Sequence, residues 1–215
     1  MSNLKQDNIW SPAPAGLTIA TPSRHGSGPA ANEPRFERGI DRSEAVAILG
    51  VDPSRTSLDL WHEKQGLLIQ PRKDPEPEET GIWPFMLEPL VATVYAKRTG
   101  HLVKRVSKTL RHPAYPWMGA AIRWEVESPE VGLLHCLQVG AKDMPLWEHG
   151  IPEPVRVDLM HLLAVTGQQA VDLAVLQGGR SVRVLRICRD EALIERVIEA
   201  EARFWGYVER GQMSS

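Results

Sequence analysis

The stretch Val131-Gly132-Leu133-Leu134-His135-Cys136-Leu137-Gln138-Val139-Gly140 decides the fold. From Val131 to Val139 it is nearly all apolar and a glycine closes it, which is the pattern of a central strand covered on both faces. Such a strand requires helices above and below it. Just before it, Ile122 to Glu127 alternates, with Ile122, Trp124 and Val126 on one face and Arg123, Glu125 and Glu127 on the other, as in a half-buried strand. Beyond it, Pro154 to Thr166 takes helical spacing, with Val155, Leu159, Leu162 and Leu163 inward and Gly167 as terminator. Val171 to Leu176 and Val182 to Ile187 flank Gly178 and Gly179, a hairpin signal. Glu191 to Val208 closes the chain as a helix whose stripe holds Leu193, Ile194, Val197, Ile198, Phe204, Trp205 and Val208.

Toward the N-terminus, Leu87, Leu90, Val91, Val94 and Tyr95 recur at three- and four-residue spacing until Gly100, predicting an amphipathic helix. Pro71 to Thr80 is dense in Pro and Glu and reads as an exposed loop. Ser57 is a candidate cap for a helix with Leu58, Leu60 and Trp61 on its apolar face, and Ser43 for one running from Glu44 to Leu49, with Gly50 as its stop. Residues 1–33 are rich in Pro, Gly, Ser, Ala and Asn without a structural period, predicting a flexible arm ahead of a single domain over 34–211. This order of elements suits an α/β sandwich, a central mixed sheet flanked by helices.

A chain of 215 residues, 42% hydrophobic, is long enough to bury a core of its own. Its 25 Lys and Arg against 27 Asp and Glu give a net charge of -2, so any nucleic-acid contact depends on a local patch and not on a general field. Cys136 and Cys188 both lie in apolar runs, which predicts free thiols and a reducing compartment. Apolar stretches fall short of the roughly 18 residues of a membrane span. With no signal-peptide pattern at the start, the expectation is a cytoplasmic protein without membrane contact.

Several segments in this order resemble the YqaJ-type viral recombinases, relatives of lambda exonuclease among the PD-(D/E)XK nucleases. They are Gly39-Ile40, the run Ser43 to Val51, Thr56 to Lys64, Leu87-Glu88-Pro89, Leu110-Arg111-His112-Pro113, Tyr115-Pro116-Trp117-Met118, His161 to Gly167 and Phe204-Trp205. The likeness spans roughly residues 36 to 209, and it rests on joint order and spacing, since none of the motifs is decisive alone. It implies a restriction-endonuclease-like core and phosphodiester hydrolysis. In that chemistry Mg²⁺ or Mn²⁺ held by carboxylates positions a water, and a Lys assists.

The resemblance also names the positions to inspect. The helix carboxylate corresponds to Glu88, a surviving metal-ligand position. The strand Asp corresponds to Arg123. The two outer residues of the family's E-x-K correspond to His135 and Leu137. The following helix, where the family carries a Gln, offers Asp158 and Met160. A guanidinium placed where a cation should sit costs on the order of several kcal/mol, so the expectation is a degenerate centre with no cofactor, in which Arg123 neutralises Glu88.

Other readings stay open. Glu88 could be a helix-start carboxylate favoured by the dipole. His135, Glu88 and Asp158 could hold a softer metal, or be core and surface residues. Glu125 and Glu127 could act as ligands after a two-residue register shift. Lys97, Arg98, Lys104, Arg105, Lys108 and Arg111 carry no acid among them and suit phosphate contacts or a solvated face. Arg38 and Ser43 lie where the family meets a terminal phosphate. Trp117, Trp124 and Trp147 belong to the core or to a base-stacking groove.

Three functions follow: an inactive nuclease-fold protein of a phage or mobile element that binds DNA or a partner such as a strand-annealing protein; an active metal-dependent exonuclease with substituted ligands; or an inhibitor or decoy aimed at a host defence or recombination factor. A homo-oligomer is compatible with each.

Overall fold

A computed structural model describes residues 39–67 and 79–212. The arm expected over 1–33, Arg38, and the Pro71 to Glu78 part of the expected loop lie outside the described residues.

Among the described residues, five helices and five strands follow in the order α1 (Arg42–Ile48), α2 (Ser57–Lys64), α3 (Glu79–Thr99), β1 (Leu102–Arg111), β2 (Gly119–Glu127), β3 (Leu134–Val139), α4 (Glu153–Thr166), β4 (Ala170–Gln177), β5 (Ser181–Cys188) and α5 (Glu191–Arg210), with a 3-10 turn at Ala141–Trp147 before α4. β1 and β2 pair antiparallel. β3 and β4 pair parallel, joined by the α4 crossover that parallel neighbours require. β4 and β5 form the expected hairpin, with Gly178 and Gly179 at φ 54° and 69°, a backbone that side chains disfavour. A bridge between Glu125 and Leu133, and a 3.0 Å bond from Val126 N–H to the Gly132 carbonyl, join the β1-β2 ribbon to β3. The result is a mixed α/β sheet in which β3 lies at the junction.

Apolar residues on both sides of β3 explain that position. Leu134 and Cys136 pack with Val91, Tyr95 and Trp124 on the α3 side, while Leu133, Leu137 and Val139 join Leu159, Leu163 and Val171 on the α4 side. Each fully buried aliphatic side chain among these contributes roughly 1.5–3 kcal/mol. Leu60, Ile40 and Phe204 form a third cluster holding α1, α2 and α5 together.

The helix starts differ from expectation. Ser43 does not cap α1. Asp41 does, accepting from Glu44 N–H at 3.0 Å while the Glu44 carboxylate accepts from Asp41 N–H at 2.9 Å. Thr56, not Ser57, caps α2 through the same reciprocal pattern with Asp59. In both cases a carboxylate three residues downstream satisfies the cap's own N–H, which selects the earlier residue. Leu58 is 48% exposed and leaves the apolar face of α2 to Leu60 and Trp61. Glu79 and Thr80, expected in a loop, begin α3.

Candidate functional site

β2, β3, α1, α3 and α4 converge on a cleft of about 250 Å³ that brings together Arg42, Glu88, Arg123, His135 and Asp158. The elements explain the meeting. Arg123 projects from the half-buried face of β2 and His135 from the adjoining β3, while α3 delivers Glu88 from its interior and α4 delivers Asp158 from its second turn. Because Glu88 lies well inside α3, the helix-dipole explanation for it fails.

Two guanidinium-carboxylate pairs occupy the cleft. Arg123 Nη1 donates to Glu88 Oε1 at 2.6 Å. Arg42 clasps Asp158 with Nε to Oδ1 at 3.1 Å and Nη2 to Oδ2 at 2.7 Å, a forked geometry favoured by the planar guanidinium. The same Nη2 lies 3.3 Å from Nδ1 of His135. Burial, and after it the Arg42 charge, press the His135 imidazole down to about 3, so it is neutral in all ordinary buffers. Burial opposes charge on Asp158, but Arg42 beside it holds the carboxyl below the usual carboxylate range. Burial, with Glu88 nearby, pushes the Cys136 thiol up to about 12, which removes it as a thiolate ligand.

This donor set does not fit a hard divalent cation, which takes one or two carboxylates with free lone pairs plus waters. The softer-metal reading fails too: His135, Glu88 and Asp158 do not form a ligand cluster, and among the described residues no group of three or more His, Cys, Asp or Glu is arranged for a metal. Arg42 engages Asp158 and His135, and Arg123 engages Glu88. Leu137, at the Lys position, packs against the α4-side core, and Met160 is buried. Glu125 is engaged by Lys108 at 2.6 Å, and Glu127 lies across the ribbon from Leu102.

The basic residues separate by element. Lys104, Arg105, Lys108 and Arg111 lie on the exposed strand β1, with Lys97 exposed near the end of α3. Arg98, also exposed, donates to the Val182 carbonyl on β5. The Arg105 guanidinium sits 5.9 Å from the centre of the Trp124 ring, and Trp124 lines the cleft, so the basic strand and the cleft share a wall. Ser43 is also at the cleft, its hydroxyl donating to Asp41 at 2.7 Å. Trp124 and Trp147 are core residues, 8% and 5% exposed, whereas Trp117 is half-buried.

Sequence reasoning missed Arg42. A signal exists: a cation in the first turn of a helix opposes the dipole and is stable there only with a carboxylate partner. It also missed the pair His161 and Glu201, both fully buried, with Nδ1 to Oε1 at 2.7 Å and Nε2 to the Gly119 carbonyl at 2.9 Å. Glu201 lies four residues past Val197 and three before Phe204, on the buried stripe of α5, and a carboxylate there demands a partner.

Three structural similarities place the fold. An alkaline exonuclease from Laribacter hongkongensis superposes with a TM-score of 0.64 at 19% identity, over 82% of this chain and 90% of that one. The same enzyme in complex with dAMP gives 0.64 at 20% identity, over 82% and 90% of the two chains. A phage related exonuclease from Haemophilus somnus 129PT gives 0.63 at 10% identity, over 80% and 94%. At these identities the likeness establishes the restriction-endonuclease-like core alone.

The sequence adds the kinship. The uncharacterized protein YqaJ of Bacillus subtilis (strain 168) is 33% identical over 171 residues, covering 78% of this chain and 52% of that protein, so the chain spans about half the length of this curated relative. The family model described as the YqaJ-like viral recombinase domain matches residues 35–169, which include every element that lines the cleft. With the fold and the sequence in agreement, the chain belongs to the YqaJ-like viral recombinase family.

Proposed function

We propose that this chain is a recombination-type protein whose single nuclease-fold domain, residues 34–211, binds DNA without cutting it by the metal-dependent route of its relatives. One observation carries the reading: of the three carboxylates that line the cleft, Glu88 and Asp158 are held by arginines, and Asp41 is occupied by its bonds from Glu44 N–H and the Ser43 hydroxyl. A Mg²⁺ or Mn²⁺ ion would have to displace two cations and then lack an Asp, an E-x-K carboxylate and a Lys. What the residues support instead is a closed, internally neutralised wall beneath an exposed basic strand. Lys104, Arg105, Lys108 and Arg111 would neutralise phosphates along β1, with Lys97 at its flank, and Arg105 would hold the backbone close to the cleft. Ser43, bonded to Asp41, contributes to shape more than to phosphate contact, while the exposed Arg98 keeps one guanidinium nitrogen on Val182 and joins Lys97 at the flank. A strand-annealing protein or a host factor is a compatible second partner, as is another copy of the chain.

The test is direct. Linear duplex and plasmid are incubated with the chain in Mg²⁺ and in Mn²⁺, beside Glu88→Ala. The expected result is intact substrate in every lane, with a salt-sensitive mobility shift that Lys104→Glu and Arg105→Glu weaken. Metal-dependent digestion that disappears in Glu88→Ala would establish the chain as an exonuclease with substituted ligands. Failure to shift DNA at low salt would favour the inhibitor reading.

A further inference from the structure

The connection between β1 and β2 carries an aromatic series. The ring centres of His112 and Tyr115 are 4.8 Å apart at an interplanar angle of 34°, and those of Tyr115 and Trp117 are 5.6 Å apart at 41°. All three rings are half-buried, so each is anchored by packing while keeping part of its surface in solvent. Tyr115 and Trp117 rest against the α4-side core.

The segment is also held rigid. His112 Nδ1 accepts from the backbone N–H groups of both Ala114 and Tyr115 at 3.1 Å. Burial chiefly, with the Arg189 and His161 charges, lowers the His112 imidazole below its ordinary value, which keeps that nitrogen an acceptor. Pro113 and Pro116 restrict φ on either side of Tyr115. Arg111 Nη1 donates to the Pro116 carbonyl at 2.7 Å, and Ile40 clamps the far end through 2.6 Å and 2.9 Å bonds to Trp117 and Gly119. Half-exposed aromatic rings on an ordered backbone suit stacking, because little conformational entropy is lost on binding.

Position completes the argument. The series begins directly after Arg111, where the basic strand ends. A groove that tracks phosphates and then presents aromatic faces is the arrangement that retains unpaired bases irrespective of sequence. We propose that the His112 to Trp117 segment is a stacking platform for a single-stranded DNA tail whose backbone runs along β1. This rests on the DNA-binding reading and adds the strand class and the surface that senses it.

The experiment measures anisotropy of three labelled DNAs with the full chain: a blunt duplex, a duplex with a single-stranded tail, and a single strand. Tyr115→Ala is expected to weaken the tailed and single-stranded DNAs about tenfold while leaving the blunt duplex unchanged, and Tyr115→Phe is expected to bind as the parent does. Should Tyr115→Ala fail to melt cooperatively, Tyr115→Leu, which keeps volume without a π face, is expected to show the same selective loss. Equal affinity of Tyr115→Leu and parent for single strand overturns the platform, and so does an equal loss on all three DNAs. If the parent holds single strand through Tyr115 but ignores blunt duplex at low salt, the duplex-binding part of the earlier reading falls and the platform stands.

Discussion

Arg123 and Glu88, contributed by β2 and α3 and 35 positions apart in the chain, meet at 2.6 Å on the wall of the cleft. With 34% and 14% of their side chains exposed, the pair is too sheltered to be treated as a surface ion pair and too open to carry the full cost of a buried one. Arg123→Ala is therefore expected to destabilise the fold by about 1–3 kcal/mol, a loss of several degrees in thermal unfolding. In a Glu88→Gln background the same change should cost clearly less. Equal costs in the two backgrounds would show that the pair has no coupling.

Metal affinity should be recoverable. The combined change Arg123→Asp, His135→Glu and Leu137→Lys returns a carboxylate to each of the two strands and a cation to the third position. Titration with Mn²⁺ is expected to raise the unfolding temperature of this variant, and EDTA to reverse the rise, while the parent protein shows neither. A saturable Mn²⁺ response in the parent at sub-millimolar concentration would contradict the neutralised-cleft account.

His135 should govern the acid limb of stability. Its folded value of about 3 lies below the ordinary 6.5, so between those values the unfolded chain binds the extra proton. Stability from this group is complete above pH 6.5 and is lost as pH falls toward 3. His135→Gln is expected to flatten the acid side of a plot of unfolding temperature against pH. An unchanged acid slope would mean that the imidazole is not held neutral.

His161 and Glu201 should act on the opposite limb. Burial alone would lower the His161 imidazole, but the charge and hydrogen bond of Glu201 and the Gly119 carbonyl carry it above 6.5. Burial raises the Glu201 carboxyl, with His161 opposing. Both groups hold protons more tightly when folded: the His161 contribution is fully present below 6.5 and is lost as pH rises through its folded value, whereas that of Glu201 is fully present only below 4.5 and fades as pH rises through its own folded value. His161→Gln is expected to melt lower than the parent near pH 6 and to converge toward it near pH 9. A difference that widens with pH would reverse the assignment.

The DNA reading sets a salt slope. If Lys104 and Arg105 each neutralise one phosphate, Lys104→Ala/Arg105→Ala should reduce the slope of log affinity against log salt by about 1.8. Nitrocellulose filter binding across a salt series measures it, and an unaltered slope removes β1 from the interface.

The elements were legible wherever one period dominated: β2 from its alternation, β3 from its apolar run, α4 and α5 from their stripes. Their starts were harder to read, because Asp41 and Thr56 compete with Ser43 and Ser57 and only the reciprocal bonds from Glu44 and Asp59 decide. Glu88, Arg123, His135 and Asp158 could be nominated by position, and they do share one cleft. Arg42 signals by its place in the first turn only that it needs a carboxylate; its partner is 116 residues away and no local pattern says which one. Glu201 was hidden differently: it interrupts an apolar stripe with a charge, and the stripe alone gives no clue that α4 supplies His161.

β1 closes one side of its sheet as a ten-residue strand with its register broken between Arg105 and Lys108. Exposed rim strands of that length invite zipping between molecules, and natural proteins counter this with lysines and local kinks. Here the cations that suit a polyanion also make two such rims repel, and the kink denies them a straight template. Solubility at high concentration and affinity for phosphate thus depend on the same side chains, so neutralising them to abolish binding will also make the purified protein more prone to precipitate.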